Sequence, residues 1–359
     1  TIETLTCHFI YSCTGYYRYD KGYTPDFPGV EQFKGQFIHP QLWPEELDYS
    51  DKRIVIIGSG ATAVTLVPAM AKTAKHVTML QRSPTYVVAR PAVDSLSQKF
   101  RRWFPEQFAY DLTRWKNVTM QAFIFQLSRR FPDKVRALLR KMTHQWMGDD
   151  YDIDTHFNPR YNPWDQRLCL VPDGDLFRAL RKGTASIVTD HIEHFTEQGI
   201  QLKSGAALDA DIVVSATGLE LLILGGIQLT VDSQPVKIAD SLVYKGMMFS
   251  GIPNLALAAG YTNASWTLKC DLTSQYVCRL LAYMDKHNYK YCMATNSDPS
   301  VQRTQFLDLA SGYIDRAVDQ FPKQGNKAPW RLYQNYLLDI ITLRVRSLRD
   351  RALTFYKTE

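Results

Sequence analysis

The chain has 359 residues, of which 45% are hydrophobic, 22% charged and 12% aromatic, and its formal net charge is +6 at pH 7. This composition excludes a disordered, collagenous or disulfide-stapled chain, and no apolar run approaches the eighteen residues that a membrane-spanning helix requires. The length favours two domains with sizeable cores.

The first 50 residues predict one strand followed by a connector. Residues 9–15 (FIYSCTG) have strand character, and prolines and glycines then interrupt any regular element: Pro25, Pro28, Gly29, Gly35, Pro40 and Pro44. The N-terminus lacks the basic and apolar regions of a secretory signal, and we expect it to begin within a domain.

Six cysteines occur without any C-x-x-C pair, namely Cys7, Cys13, Cys169, Cys270, Cys278 and Cys292. In a chain of this size they predict reduced thiols rather than a disulfide framework. We therefore expect a reducing compartment and a cytoplasmic location.

A βαβ unit is predicted between Lys52 and Arg82. The run KRIVIIG (52–58) is continuously apolar, as a parallel strand buried on both faces requires, and a helix over about 61–74 and the strand HVTMLQR (76–82) follow it. Strand patterns return in LCLVPDG (168–174), SIVTD (186–190), GIQLKSG (199–205) and DIVVSATG (211–218), where we expect the sheet to resume. After Gly218 the pattern predicts short strands, a helix from Ser274 to Lys286 and an amphipathic stretch from Tyr336 to Leu348.

Between Val93 and Gly148 the periodicity is helical and is broken by Pro105 and Pro132, which predicts a group of inserted helices outside the sheet. The segment carries eleven Lys and Arg against four Asp and Glu, and its basic residues alternate with aromatic ones, as in FRRWF (100–104). Such a pattern suits nucleic acid, an anionic membrane surface or a solvated helix face. We favour the solvated face, keep peripheral membrane contact as the alternative, and expect no nucleic-acid partner.

A phosphate-binding turn is predicted between the first strand and helix of the βαβ unit. The motif G-x-G-x-x-A comprises Gly58, Ser59, Gly60, Ala61, Thr62 and Ala63. Gly58 permits a tight turn, Gly60 lets the backbone approach a pyrophosphate, and Ala63 lets the helix pack closely on the strand. The free amides of the helix N-terminus then face the phosphates, so we expect dinucleotide binding.

The second strand ends in Gln81, Arg82 and Ser83, where an NAD enzyme usually has Asp or Glu for the ribose hydroxyls. A guanidinium binds phosphate oxygens in a forked geometry, whereas a carboxylate would repel them. Arg82 therefore favours NADP over NAD, with Ser83 beside it, and the alternative is an ordinary surface arginine.

Phe33, Gly35, His39 and Trp43, with Pro44 next, spell F-x-G-x-x-x-H-x-x-x-W-P. Taken alone, His39 predicts a structural histidine and Trp43 an interdomain packing residue. The full spacing resembles the fingerprint of type I Baeyer-Villiger monooxygenases, which belong to the wider flavin-dependent monooxygenase family that uses FAD and NADPH.

The resemblance extends over nearly the whole chain. Residues 12–16 (SCTGY) and 216–218 (ATG) resemble the family's A-T-G turns, which makes Thr14, Gly15 and Thr217 candidate cofactor-binding residues. GSGATA and QRSPTY stand where the family keeps its NADPH cradle and 2′-phosphate clamp. Residues 162–177 and 246–266 are similar to a mycobacterial and actinobacterial subgroup that includes the ethionamide-activating monooxygenase.

The resemblance implies an α/β fold with two Rossmann-like dinucleotide-binding domains. Residues 1–50 would be the remainder of the FAD domain and the linker, 51–218 the NADP domain with a helical insertion at about 93–148, and 219–359 the C-terminal part of the FAD domain and a tail. The family's first G-x-G-x-x-G, for the FAD pyrophosphate, lies upstream of the first A-T-G turn. We therefore expect the FAD domain to be incomplete in this chain.

By the same resemblance, Arg167 matches the active-site arginine that stabilises the negatively charged flavin peroxide and the adduct on the substrate. The alternative is that Arg167 pairs with Asp165 or Asp173 in a loop. Other members carry Lys where this chain has Gln166, so NADPH selectivity would depend more heavily on Arg82. No metal site is expected.

The resemblance implies an FAD- and NADPH-dependent enzyme that forms a C4a-peroxyflavin with O2. Its substrate would be a small ketone, into which oxygen is inserted, or a sulfide, thioamide or nitrogen centre, which is oxidised. The competing hypothesis is an inactive NADP-binding or interaction module whose basic, aromatic insertion is the contact surface. The oligomeric state is left open.

Overall fold

The computed structural model describes residues 2–166, 168–307 and 312–357. Contacts divide the chain into two units, which we call the central unit (Tyr19–Leu219) and the terminal unit (residues up to Arg18 and from Glu220 onward). All six cysteines are free thiols. Among the described residues, no helix combines the length and the apolar character needed to cross a membrane.

The strands, in chain order, are β1 (Ile10–Ser12), β2 (Tyr17–Gly22), β3 (Gln36–Ile38), β4 (Arg53–Ile57), β5 (His76–Gln81), β6 (Val87–Arg90), β7 (Cys169–Pro172), β8 (Ala185–Thr189), β9 (Ile192–Thr196), β10 (Gly199–Leu202), β11 (Ala207–Asp209), β12 (Ile212–Ser215), β13 (Leu219–Leu221), β14 (Leu229–Val231), β15 (Gln234–Val236), β16 (Val243–Tyr244), β17 (Met248–Phe249), β18 (Leu255–Leu257), β19 (Tyr291–Ala294), β20 (Arg303–Gln305), β21 (Lys323–Gly325) and β22 (Leu353–Tyr356). The helices are α1 (Ala61–Met70), α2 (Ser95–Trp103), α3 (Glu106–Arg130), α4 (Pro132–Met147), α5 (Ile153–Phe157), α6 (Asp175–Arg181), α7 (Trp266–His287), α8 (Gly312–Asp315) and α9 (Tyr336–Asp339).

The central unit is built on a five-stranded parallel sheet with the order β3-β12-β4-β5-β8. The strand β4, between β12 and β5, is buried on both faces. Ile54 and Ile56 belong to one core cluster with residues of α1, while Val55 and Ile57 belong to a second cluster with Phe195. This placement explains the continuously apolar run, and it confirms the predicted β4-α1-β5 unit.

Helix α1 ends at Met70, four residues before the predicted end. The Ala71 N–H still donates to the Val67 carbonyl, and the Ala74 N–H donates to the Met70 carbonyl. Thr73, however, lies outside the helix. Its carbonyl accepts from the N–H of Asp51, in the turn that precedes β4. The chain therefore turns here toward β5.

Two predicted strands lie outside the parallel sheet, so the expectation that they rejoin it is wrong. β7, from LCLVPDG, pairs with β6 in a separate two-stranded parallel sheet. β10, from GIQLKSG, lies between β9 and β11 in an antiparallel sheet. The connections from β9 to β10 and from β10 to β11 are only a few residues long, which allows hairpins but no parallel crossover.

The predicted helical insertion is confirmed as α2, α3 and α4. Pro105 caps the start of α3 and Pro132 begins α4, because proline is tolerated where the first helical N–H groups have no acceptor. Asp94 caps α2 by accepting from the N–H of Ser97 at 3.1 Å, and its ion pair with Lys116 of α3 holds the pKa of Asp94 well below its usual range. The insertion is thus joined by specific contacts between α2 and α3.

The terminal unit contains a four-stranded sheet with the order β1-β18-β17-β16, in which β1 and β18 are parallel. Helix α7 begins at Trp266, eight residues before the predicted start. The first turns of α7 bury Lys269, whose ammonium lies 2.9 Å from the Asp339 carboxylate. A charged residue on the buried face interrupts the apolar periodicity from which a helix is predicted, so the predicted helix starts too late. The stretch predicted from Tyr336 forms the short α9 and then a π-helix over Ile340–Val345.

Candidate functional site

The turn between β4 and α1 requires glycine at its first position. Gly58 has φ +133°, and a Cβ atom there would lie 2.4 Å from the carbonyl oxygen of Ala216. The Gly58 N–H donates to the Leu80 carbonyl at 2.8 Å. Gly58 therefore lets the turn pass against the end of β12 while it stays bonded to β5.

The second glycine of the motif has no such role within the chain. Gly60 caps α1 with φ −79° and ψ −175°, a conformation open to any residue, and no described atom lies within 4 Å of a Cβ added there. Ala61 and Thr62 after it are exposed, while Ala63 is fully buried against the sheet. The space beside Gly60 at the α1 N-terminus is therefore open to a ligand.

The hydroxyl of Ser59 ties this turn to the segment after β5. Its Oγ donates to the Ser83 carbonyl at 3.0 Å and is 3.1 Å from the Thr85 hydroxyl. The position of the β5 end is thereby fixed relative to the glycine turn.

Of the residues at and just after the end of β5, one is buried and two are exposed to solvent. Gln81 is buried, and its amide donates to the His156 carbonyl at 2.9 Å and to the Thr189 hydroxyl at 2.8 Å. Arg82 and Ser83 are exposed, and the guanidinium of Arg82 forms no ion pair with any described residue. Arg82 is thus a cation available to an anionic ligand near the glycine turn.

Two turns of the same sequence type follow parallel strands in the two units. After β1 the Ser12 and Thr14 hydroxyls are 3.0 Å apart, and Gly15 has φ +68°. After β12 the Ser215 and Thr217 hydroxyls are 2.9 Å apart, and Thr217 Oγ1 donates to the Tyr23 carbonyl at 2.7 Å. Each turn thus lies at the carboxyl end of a parallel strand, where α/β sheets bind ligands.

Three residues of the linker motif, two at its start and one near its end, pack inside the central unit. The Phe33 ring meets Phe195 edge-on at 6.0 Å, and a Cβ atom on Gly35 would lie 2.5 Å from the Asp211 carbonyl oxygen. Trp43 packs against the core beside the parallel sheet. These three residues therefore position the connector on the sheet.

His39 holds three separate pieces of backbone together. Its Nδ1 accepts from the Gln41 N–H at 3.2 Å, so Nε2 carries the hydrogen that it donates to the Gly218 carbonyl at 3.1 Å. A Cβ atom on Gly22 would lie 1.8 Å from the His39 ring, so the ring lies directly against the backbone of β2. The chain passes between its two units within β2 and within β13, immediately beside these contacts.

We expect His39→Ala to slow turnover while the NADPH dissociation constant changes by less than about twofold. The substitution leaves the Gly218 carbonyl without its imidazole donor and opens a gap beside Gly22. The two backbone segments near which the chain passes from one unit to the other therefore lose the side chain that contacts both. Rapid-mixing kinetics and NADPH titration measure the two effects. His191→Ala, an exposed histidine of the same unit, is the control. Normal turnover in His39→Ala would leave the residue with a packing role alone.

A family model described as flavin-binding monooxygenase-like matches residues 7–223. The FAD-containing monooxygenase EthA of Mycobacterium tuberculosis (strain ATCC 25618 / H37Rv) is 52% identical over 358 residues, which is 99% of this chain and 73% of EthA. The probable FAD-binding monooxygenase AlmA of Acinetobacter baylyi is 54% identical over 357 residues, 99% of this chain and 72% of AlmA. The chain belongs to the flavin-binding monooxygenase-like family.

Solved structures agree with this family fold. Oxidised steroid monooxygenase bound to NADP superposes with a TM-score of 0.71 at 19% identity, covering 98% of this chain and 75% of that one. OTEMO in complex with FAD and NADP gives 0.63 at 21% identity, covering 82% of this chain and 64% of the OTEMO chain. The family model and the relatives confirm the predicted monooxygenase class, and the solved structures confirm the α/β fold with dinucleotide-binding domains.

Arg167, which the resemblance matches to the family's active-site arginine, lies outside the described residues. Of its two predicted acidic neighbours, Asp165 forms an ion pair with Arg129 at 2.8 Å, and Asp173 accepts from the Ala92 N–H at 3.0 Å. The role of Arg167 therefore stays a prediction.

Gly22, which touches the predicted site residue His39, was missed by sequence reasoning. No strand was predicted at β2, so its terminal glycine did not signal close backbone approach. Thr85, which touches Ser59, falls within the QRSPTY segment that was predicted to lie at the nucleotide clamp. In the terminal unit, a cavity of about 850 Å³ is lined by the buried pair Lys269–Asp339, and burial lowers the pKa of Lys269. Because Lys269 and Asp339 are 70 residues apart in the sequence, no pattern within either segment predicts that they pair.

Proposed function

We propose that the protein is an NADPH- and FAD-dependent monooxygenase that transfers one oxygen atom of O2 to a small organic substrate. The observation that carries the proposal is the pairing of an open glycine, Gly60, at the α1 N-terminus with an exposed cation, Arg82, which no described acid neutralises. Membership of the flavin-binding monooxygenase-like family favours this enzyme over an inactive binding module.

The residues of the central unit fit NADPH. The backbone of Gly58, Ser59 and Gly60, with the amides of Ala61 and Thr62 at the start of α1, would hold the pyrophosphate. Arg82 would bind the 2′-phosphate through its fork of N–H donors, with the Ser83 hydroxyl beside it. Ala63 serves the cradle indirectly, because its small side chain lets α1 lie against the sheet.

The terminal unit would contact FAD at the carboxyl ends of β1 and β18. Thr14 and Gly15 follow β1, and residues 258–263 follow β18, so both loops lie at one edge of the parallel pair. Thr217 occupies the corresponding turn of the central unit. Bound FAD supplies hydride acceptance from NADPH and the activation of O2, while the polypeptide binds, orients and excludes water.

Arg167 is proposed as the cation that stabilises negative charge developing at the substrate. A guanidinium stays charged throughout catalysis, and its fixed fork needs no reorganisation as charge develops. We expect Arg167→Ala to keep NADPH oxidation and to lose oxygenated product, so that hydrogen peroxide replaces product. Product yield per NADPH measures this, and an unchanged yield would remove Arg167 from the site. Arg160→Ala, an exposed arginine a few residues earlier in the sequence, is the control.

The substrate class is proposed as small ketones, with sulfides, thioamides and nitrogen centres as the competing class. The purified protein is first examined for flavin absorbance, because a colourless protein that binds NADPH would support the inactive module. NADPH oxidation is then compared with a cyclic ketone and with a thioether of similar size. Faster, product-forming turnover of the ketone supports oxygen insertion, and turnover of the thioether alone assigns heteroatom oxidation. We propose a cytoplasmic location.

A further inference from the structure

Large apolar side chains are concentrated on the surface of the helical insertion, α2 to α4. Trp103 is 65% exposed and Phe123 is 64% exposed, and Phe104, Phe108, Leu127 and Phe131 are exposed as well. Of the 25 residues of α3, the buried ones are Ala109, Val118 and Ser128. A merely solvated helix face does not explain so many exposed rings, because each keeps apolar area in water that burial would remove.

Most of the exposed apolar residues of α3 share one side of the helix, and the exception is Tyr110. At about 100° per residue, Phe108, Phe123 and Leu127 fall within an arc of roughly 100°. The helix is about 37 Å long at 1.5 Å per residue. Phe104 lies just before its start and Phe131 just after its end. The exposed side is thus a long apolar stripe with an aromatic ring at each end.

Cations flank both ends of this stripe. Lys99, Arg101 and Arg102 of α2 precede Trp103, and they form no ion pair with any described residue. At the far end the Arg130 guanidinium lies 5.8 Å and the Lys134 ammonium 5.3 Å from the centre of the Phe131 ring. Two other cations of the insertion are neutralised, Arg129 by Asp165 and Arg140 by Asp154, each at 2.8 Å. Cations without an ion pair to a described residue therefore lie beside the exposed rings at both ends of the stripe.

We propose that the helical insertion docks the protein on an anionic lipid surface, with α3 lying in the plane of the interface. Trp and Phe side chains enter the boundary between headgroups and acyl chains, and Lys and Arg side chains pair with anionic headgroups around them. No helix need cross the bilayer. The proposal is independent of the proposed reaction, since none of these residues belongs to the candidate nucleotide site.

The charge and the chemistry of the stripe favour lipid over the other occupants. In a symmetric pair of copies the same patch would face itself, which would bring the unpaired cations together. Nucleic acid would use stacking on the aromatic rings, but Leu127 within the stripe has no ring to stack on a base. An acyl interface accepts aromatic and aliphatic side chains alike.

The test is co-sedimentation of the purified chain with vesicles of phosphatidylcholine alone and of phosphatidylcholine with phosphatidylglycerol. We expect at least about tenfold tighter binding to the anionic vesicles, weakened by high salt. The double variants Arg101→Glu/Arg102→Glu and Trp103→Ser/Phe104→Ser should each lose about tenfold or more. Lys182→Glu/Lys203→Glu, at exposed positions of the central unit outside the insertion, is the matched control and should lose less than about threefold.

The measurement is accompanied by circular dichroism and by sedimentation of the protein without lipid. All the substituted side chains are exposed, so the variants should keep the helical spectrum of the parent. Equal binding to the two vesicle types, or binding unaffected by both double variants, would overturn the proposal. It would also be overturned by a dimer that the ring variants dissociate, or by tighter binding to duplex DNA than to anionic vesicles.

Discussion

Replacing Arg82 by alanine should weaken NADPH binding by about 1–3 kcal/mol, roughly 5- to 150-fold, and leave NADH binding nearly unchanged. The guanidinium is exposed and forms no ion pair with a described residue, so its removal breaks no ion pair within the described part of the chain. The lost free energy is that of its bonds to the 2′-phosphate, which NADH lacks. Fluorescence titration with both nucleotides measures the difference directly.

Arg181, the last residue of α6, provides the matched control for Arg82. Arg181 is also exposed and lies in the same unit, so Arg181→Ala removes one surface charge without touching the glycine turn. We expect it to change NADPH affinity by less than about twofold, as distant charges are largely screened at physiological salt. Equal losses of NADPH and NADH affinity in Arg82→Ala would exclude a 2′-phosphate contact. Raising the ionic strength should narrow the gap between the parent and Arg82→Ala.

The parts of the site that could be predicted from sequence are those set by local backbone chemistry. The G-x-G-x-x-A turn follows from a buried strand, two glycines and a helix start, all within a dozen residues. The position of Arg82 follows in the same way, because β5 must end where the parallel sheet ends. Proline positions likewise delimit α3 and α4 of the insertion.

Long-range contacts account for what could not be predicted. β10 has the composition of a sheet strand, but its partners are set by short connections on both sides. Lys269 lies on the buried face of α7 because Asp339, far along the chain, neutralises it. The lengths of α1 and α7 and the contact of Gly22 with His39 depend on tertiary packing in the same way. No periodicity within a single segment carries this information.

Gly60→Ala should lose NADPH affinity by about 1–3 kcal/mol while the free energy of unfolding stays the same or rises by up to about 1 kcal/mol. The backbone of Gly60 is already in a conformation that alanine adopts, and no described atom would meet the added methyl group. The methyl group would instead fill the space through which the pyrophosphate reaches the amides of α1. NADPH titration and thermal unfolding of the same sample measure the two quantities separately.

Gly58→Ala is the comparison variant for Gly60→Ala, because it should lower the free energy of unfolding of the protein itself. A Cβ atom at residue 58 would lie 2.4 Å from the Ala216 carbonyl oxygen, and φ +133° is strained for any residue other than glycine. We expect destabilisation of at least about 1–3 kcal/mol even without nucleotide. If Gly60→Ala bound NADPH normally, the opening at the α1 N-terminus would not be the pyrophosphate site. If instead both variants lost stability equally, Gly60 would be required by the fold and would say nothing about a ligand.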